Sequence, residues 1–147
     1  MQSGRSSIHG HITVRHKGSG CKTRFRSVNF ENLDSNLILL FITYDPFRTS
    51  FISFVFNILT KSFDFILSTD KTLPGSLLYS GKYWYDGKLG YSSLLYNLPS
   101  GVLINSLSKL NYAKAAGVCC QLLQKNKRFT KIKLPSNRII NVTTLNT

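Results

Sequence analysis

Apolar and polar positions alternate in short runs along this chain, and the runs predict strands. Residues 51–59 show it most clearly. Ile52, Phe54, Phe56 and Ile58 fall on one side, with Phe51, Ser53, Val55 and Asn57 on the other. A period of two is what an extended strand imposes on its side chains. Residues 37–44 are nearly all apolar and end at Asp45-Pro46, a turn in which proline also stops any helix. A strand is expected over 22–30, before a polar break at 31–36, and further strands over 63–67 and 77–81. Five short strands with tight turns predict a small barrel of the oligonucleotide-binding (OB) type.

Residues 81–90 (G-K-Y-W-Y-D-G-K-L-G) read as a linker. Beyond them, short strands are expected over 94–99, 102–107, 118–123, 129–134 and 139–142. Pro99-Ser100-Gly101 and Pro135-Ser136-Asn137 supply turns. Residues 111–117 hold the only three alanines and end in glycine, which predicts one helical turn with a glycine cap. This half reads as an SH3-like barrel. Residues 1–20 are rich in Gly, Ser and His without periodicity. The expected fold class is therefore mainly β: an OB-fold-like small barrel followed by an SH3-like small barrel, with an extended basic N-terminal arm. The expected division is 1–21 for the arm, 22–81 for the first barrel and 82–147 for the second.

Charge changes the picture from fold to partner. Nineteen Lys and Arg stand against six Asp and Glu, a formal net charge of +13. That excess calls for a polyanion: nucleic acid, an anionic membrane surface or an acidic protein. At 42% hydrophobic residues the chain is not a disordered basic tail. The densest cluster is R-H-K-G-S-G-C-K-T-R-F-R, residues 15–26, with Arg15, His16, Lys17, Lys22, Arg24 and Arg26 around Gly18-Ser19-Gly20 and no carboxylate. Lys22, Arg24 and Arg26 are two apart, so an extended strand would put them on one face. Glycines let backbone N–H groups approach a phosphate closely. Such an arrangement fits structured RNA, which is read by shape, phosphate and 2′-OH.

Other chemistries find less support. Residues 37–59 are long enough to span a bilayer, but Asp45, Pro46 and Arg48 sit at their middle, where charge is expensive. His9, His11, His16 and Cys21 share the arm, yet their spacing matches no zinc pattern and the local positive charge opposes a cation. The six carboxylates are unpaired in sequence, and no nucleophile-elbow, Walker or Rossmann pattern occurs. No catalytic activity, metal or cofactor is therefore expected. Three cysteines, Cys21 and the adjacent Cys119 and Cys120, form no disulfide framework and indicate a reducing compartment. Adjacent in a strand, Cys119 and Cys120 point to opposite faces and read as small apolar residues. Residues with A/T-rich codons dominate and alanine is nearly absent, the imprint of an A/T-rich genome, often an organelle's.

These residues together resemble a known family, that of the universal large-subunit ribosomal protein number two. Gly4-Arg5, Gly10, Ile12-Thr13-Val14-Arg15-His16, Gly18, Gly20, Lys22 and Phe25-Arg26 follow its opening. Tyr44-Asp45-Pro46 with Arg48 is similar to its Y-D-P-N-R motif, and Asn97-Leu98-Pro99 with Gly101 to N-I-P-x-G. Ala113-Lys114-Ala115-Ala116-Gly117 is similar to A-R-S-A-G, and Leu134-Pro135-Ser136 with Arg138 to the L-P-S-G-x-x-R hairpin. The resemblance runs in order over almost the whole chain. It implies two small barrels embedded in large-subunit rRNA and a structural, non-enzymatic role.

The implied RNA contacts are Arg5, Arg15, His16, Lys17, Lys22, Arg24, Arg26, Arg48, Lys114 and Arg138. Departures are specific. Ser19 and Cys21 replace a glycine and a histidine, Asn137 stands where glycine is usual, and Lys114 replaces an arginine, losing its planar fork. The family's histidine- and glycine-rich C-terminal segment has no counterpart here, so either the protein is split and completed by a second chain or the segment is lost; the composition favours the split. The implied partners are large-subunit rRNA, neighbouring ribosomal proteins and that second chain, with no membrane. The implied setting is the mitochondrial matrix, with the plastid as runner-up. Two alternatives come from other classes. One is a free single-strand-binding OB module stacking bases on Tyr83, Trp84 and Tyr85; the other is a basic peripheral membrane protein.

Overall fold

The computed structural model describes residues 4–17, 23–30, 35–81, 88–107, 111–126 and 128–143, and among them it contains strands and no helix. The strands are β1 (Ser35–Thr43), β2 (Ile52–Asn57), β3 (Ser62–Leu67), β4 (Leu77–Gly81), β5 (Ser92–Ser93), β6 (Leu103–Ile104), β7 (Cys120–Lys125), β8 (Phe129–Lys133) and β9 (Ile139–Thr143). They form a five-stranded sheet of order β3-β2-β1-β4-β5 and a four-stranded sheet of order β6-β7-β8-β9. All pairings are antiparallel except β4 with β5. The chain is all-β, a curled half-barrel followed by a second small sheet.

The curl of the first sheet begins in β1, where the register with β2 shifts between Leu39 and Phe41. An extra residue on one strand bends it and increases the local twist. The concave side then closes over Leu37, Leu39, Val55 and Leu78, with Ile66 packed beside them. The period-two alternation of β2 is real, and its polar-looking side is the one that faces in. Ser53 and Asn57 are buried with Val55, while Phe54 and Phe56 lie half-buried on the opposite face. Asn57 tolerates burial because its Oδ1 accepts the N–H groups of Leu59 (3.0 Å) and Thr60 (3.3 Å), which shapes the β2–β3 turn. The outer face carries a ladder of rings. Phe54 stacks on Phe41 and Phe63 and tilts against Phe65, at centroid distances of 4.9, 5.4 and 4.9 Å.

The second sheet has the larger core: Leu95, Leu98, Ile104, Leu107, Cys120, Leu122, Ile132, Leu134 and Val142. Leu95 and Leu98 enter it from a turn closed by Asn97 N–H to the Leu94 carbonyl (3.0 Å), so the strand expected at 94–99 is a plug instead. The hairpin predicted at residues 135–137 is present, with the Asn137 N–H donating to the Leu134 carbonyl (2.9 Å). Asn137 has φ 64, the left-handed region that asparagine tolerates better than most residues. Cys120 is buried and Cys119 exposed, as adjacent strand positions require. Burial, and secondarily Cys119, pushes the Cys120 thiol above its ordinary pKa.

Two further expectations need correction. Residues 23–30 are extended but form no strand; they touch the sheet through one parallel bridge, Val28 to Phe65. Phe25 packs edge-on against Phe47 of the β1–β2 loop (6.1 Å). Residues 111–117 form an irregular loop, because Asn111 (φ 56) and Ala113 (φ 52) are left-handed. Hydrogen bonds of Ser106 N–H to the Ala113 carbonyl (2.8 Å) and Leu107 N–H to that of Tyr112 (3.1 Å) override alanine's helix preference. Residues 37–59 are two antiparallel strands, and no helix of the described residues is long and apolar enough to cross a membrane.

Candidate nucleic-acid interface

The described residues of the arm, 4–17, add no strand to either sheet and fold on themselves. Arg5 bridges Ile12, Ser6 N–H donates to the His11 carbonyl (2.9 Å), and Thr13 N–H to that of Gly4 (2.8 Å). Ser6 Oγ accepts the N–H groups of Ile8 and His9, both at 3.3 Å, and Arg5 Nη1 donates to the Gly10 carbonyl (3.0 Å). Gly4 is obligatory here, since a Cβ would strike the carbonyl oxygens of Val14 and Lys17. The result is a small closed loop presenting Arg15, His16 and Lys17 to solvent, with His16 at φ 62 in the turn. His9 and His11 stack (6.1 Å), and among the described residues no group of three or more potential ligands gathers around a metal position. Gly18, Ser19, Gly20, Cys21 and Lys22 lie outside the described residues, as do Tyr83, Trp84 and Tyr85.

The best-built site lies where the β1–β2 loop meets the second half of the chain. Asp45 is 0% exposed. Its Oδ1 accepts the Phe47 N–H (3.1 Å) and its Oδ2 the Nε–H of Arg48 (2.6 Å). Proline at 46 fits the first central position of the turn that brings these donors round. Burial alone would raise the Asp45 pKa. The Phe47 N–H, the Arg48 guanidinium and, more distantly, Arg26 outweigh it and hold the carboxyl below its usual range. The ion pair engages Arg48 through Nε, on a side chain that keeps 24% of its surface in solvent.

Two more predicted cations converge there. Arg26 is half-buried, and its Nη1 is buried without a hydrogen-bond partner. A buried guanidinium nitrogen without an acceptor is costly, and an anion is the group that would satisfy it. Lys114 lies over the Phe30 ring (3.7 Å) and donates to Asn111 Oδ1 (2.6 Å). Burial and then the charge of Arg48 lower its pKa. Arg26 and Lys114 line one open groove of about 840 Å³, together with Phe25, Asn29, Phe30 and Asn111. Thr49 Oγ1 accepts the Ala116 N–H (3.3 Å), tying the β1–β2 loop to the loop that holds Lys114. Arg48 and Arg26 thus act on the buried carboxylate, and Lys114 lies within the field of Arg48.

The remaining predicted residues are spread more widely. Arg24 is exposed on the extended segment beside this groove, and Arg138 is exposed at the far hairpin. Arg5, Arg15, His16 and Lys17 belong to the arm. Several participants escaped sequence reading. Asp45 was noted as part of a motif, and its role as the group that aims Arg48 was missed, although the D-P-x-R spacing of an Asx turn signals it. Phe30 and Thr49 left no local signal, because their contacts to Lys114 and Ala116 are made only by the fold, while the Asn111–Lys114 contact is local, three residues apart.

A family model described as "Ribosomal Proteins L2, RNA binding N-terminal domain" matches residues 1–80, more than half of the chain. The match takes in the arm, the segment of Arg24 and Arg26, and the first sheet through all but the last residue of β4.

Proposed function

The chain belongs to the ribosomal protein L2 family, and on that premise we propose that it is a structural, rRNA-binding constituent of the large subunit of a mitochondrial ribosome. The observation that carries the reading is the site just described: a buried carboxylate aims one arginine, and a second arginine beside it has a buried, unpartnered nitrogen. Positions fixed before binding lose little side-chain entropy when a phosphate arrives. Arg48, Arg26 and Lys114 contact the rRNA backbone there; Arg24 and the arm cations Arg5, Arg15, His16 and Lys17, with Lys22, extend the contact, and Arg138 adds one from the second hairpin. The family is a structural one, and its chemistry is binding rather than turnover. The organellar setting rests on the A/T-codon bias of the composition, with the matrix of the mitochondrion favoured over the plastid.

Sedimentation of an organelle lysate through a sucrose gradient, with and without RNase, tests this. Co-migration with large subunits that survives high salt and is lost with RNase supports the reading. A chain that stays at the top of the gradient, or floats with membranes, refutes it. Mass spectrometry of the same fraction tests the expectation of a second chain carrying the family's C-terminal segment.

A further inference from the structure

The chain is a polycation, yet strands β1 to β4 contain no Lys, Arg or Glu and a single Asp. That residue, Asp64, stands opposite Val55 and so takes the core side of the sheet. The outer face is built from uncharged side chains. Ile38, Phe41, Phe54, Phe56, Phe63 and Leu77 share it through the pairs Ile38–Phe56, Phe41–Phe54, Phe56–Phe63 and Ile38–Leu77. Phe41, Phe63 and Leu77 are 50%, 60% and 62% exposed. Ile52, on the same side of β2, is fully buried, so the open patch starts at Phe54. A phenylalanine offers about 200 Å² of surface, so Phe41 and Phe63 each leave on the order of 100 Å² open, and the patch as a whole on the order of 500 Å². A contiguous apolar patch of that size marks an interaction site.

We propose that this face docks an amphipathic helix of a partner protein, one whose aliphatic stripe is flanked by carboxylates. The ring geometry argues against nucleobases. Phe54 lies between Phe41 and Phe63, at 29° and 4° to their planes, and Phe56 tilts against Phe63 at 5.1 Å. The rings turn their faces to one another, whereas a base stacks on an open ring face. Ring edges and the branched ends of Ile38 and Leu77 suit aliphatic side chains, and a helix is a common cover for a sheet face. The area argues against a second copy of the chain. A stable interface takes about 800 Å² from each partner, and two chains of +13 repel each other. The same charge selects the flanks of the helix. Lys61 stands exposed two residues before Phe63, and Arg26 and Lys114 line the groove beside Phe63 and Phe65. Cations therefore border the patch along β3, where a carboxylate is attracted and a lysine repelled. The surface goes beyond the rRNA contacts and does not depend on them.

Phe41→p-benzoylphenylalanine in the full chain puts a photo-cross-linker on the patch, and the same change at Tyr96, an exposed ring of the second half, is the control. Irradiated in an organelle lysate and digested, position 41 is expected to join a different protein. The joined segment should carry apolar residues three and four apart with Asp or Glu beside them, and position 96 should not reach it. A synthetic helix with leucines at that spacing and flanking glutamates is the solution probe, read by fluorescence anisotropy. Phe41→Ser with Leu77→Ser weakens its binding about tenfold or more, since the pair removes exposed apolar contacts and leaves the core alone. Lysines in place of the peptide's glutamates weaken it several-fold. The RNA affinity of the double variant stays at the wild-type value. A cross-link from position 41 to rRNA, to lipid, to a second copy or to nothing overturns the proposal. Equal binding of the peptide by variant and wild type, or no binding by the wild type, overturns it too. A chain that binds the peptide and no RNA keeps this surface and refutes the ribosomal reading.

Discussion

Replacing Asp45 by asparagine isolates what its charge does. The substitution keeps an Oδ1 to accept the Phe47 N–H and removes the anion that holds Arg48 at 2.6 Å. Removing one partner of a buried pair costs about 3–5 kcal/mol when the other charge stays sealed in protein. Arg48 is not sealed; 24% of its side chain reaches solvent against 1% for Asp45, so part of its charge can rehydrate. The loss is then nearer that of one charge-assisted hydrogen bond, about 1.5–3 kcal/mol. At this chain length each kcal/mol lowers Tm by about 2–4 °C, which a thermal scan or urea titration resolves.

The pH dependence has a definite sign. The folded pKa of Asp45 lies below its unfolded value near 3.9, so the unfolded chain takes up the proton first as pH falls. The pair's contribution is complete above the unfolded pKa and disappears as pH drops through the folded one. The stability gap between wild type and Asp45→Asn should therefore be full at pH 7 and shrink in that acid range. RNA binding gives an independent check, because the variant is one unit more positive than the wild type at +13. Bulk electrostatics predicts tighter binding; loss of a positioned Arg48 predicts weaker binding. Asp45→Asn within about 0.5 kcal/mol of wild type, with RNA affinity unchanged or raised, would refute the reasoning.

Other perturbations separate the parts of the molecule. Lys114→Met should leave the stability of the free chain unchanged or improved at neutral pH, since burial and Arg48 disfavour its charge, while RNA affinity falls; urea titration and filter binding read the two. Gly4→Ala should open the arm's loop with little change in the sheets, because the clash is with Val14 and Lys17 alone; amide hydrogen exchange at Ser6 and Thr13 reports it. Leu122→Ala, at a fully buried position of the second core, should cost about 2–5 kcal/mol in chemical denaturation.

What was legible in the sequence followed from local periodicity. The alternation around Phe54 and Phe56, the D-P turn after β1 and the P-S-N hairpin before β9 each report a constraint within a few residues. Strand β4 was read at its observed bounds, and β1, β2, β3, β8 and β9 to within a residue or two. Misreadings came where distant contacts override the local pattern. Residues 22–30 alternate like a strand, yet the described residues 23–30 pair with β3 only through the Val28–Phe65 bridge. Residues 111–117 have helical composition, yet Ala113 is held left-handed by its carbonyl's bond to Ser106. The same distance effect hides the junction site, which joins residues 26, 45, 48 and 114.

The layout also bears on what a bound phosphate would do to the fold. The first sheet closes over four buried apolar side chains, and a formal charge of +13 is spread over the whole chain. Self-repulsion of that size opposes compaction, and a core this small has little to set against it. At the junction the conflict is local: Arg26 and Arg48 share one carboxylate, and the Lys114 pKa is lowered by burial and then by Arg48. A phosphate entering there relieves both costs, since it gives the buried Arg26 nitrogen an acceptor and screens Arg48 from Lys114. Because Thr49 and Ala116 already tie the two loops together, that relief acts on both sheets. Binding to the folded state alone stabilises it in proportion to ligand occupancy, so RNA added to the folded chain should raise its Tm, which a thermal scan with and without RNA checks.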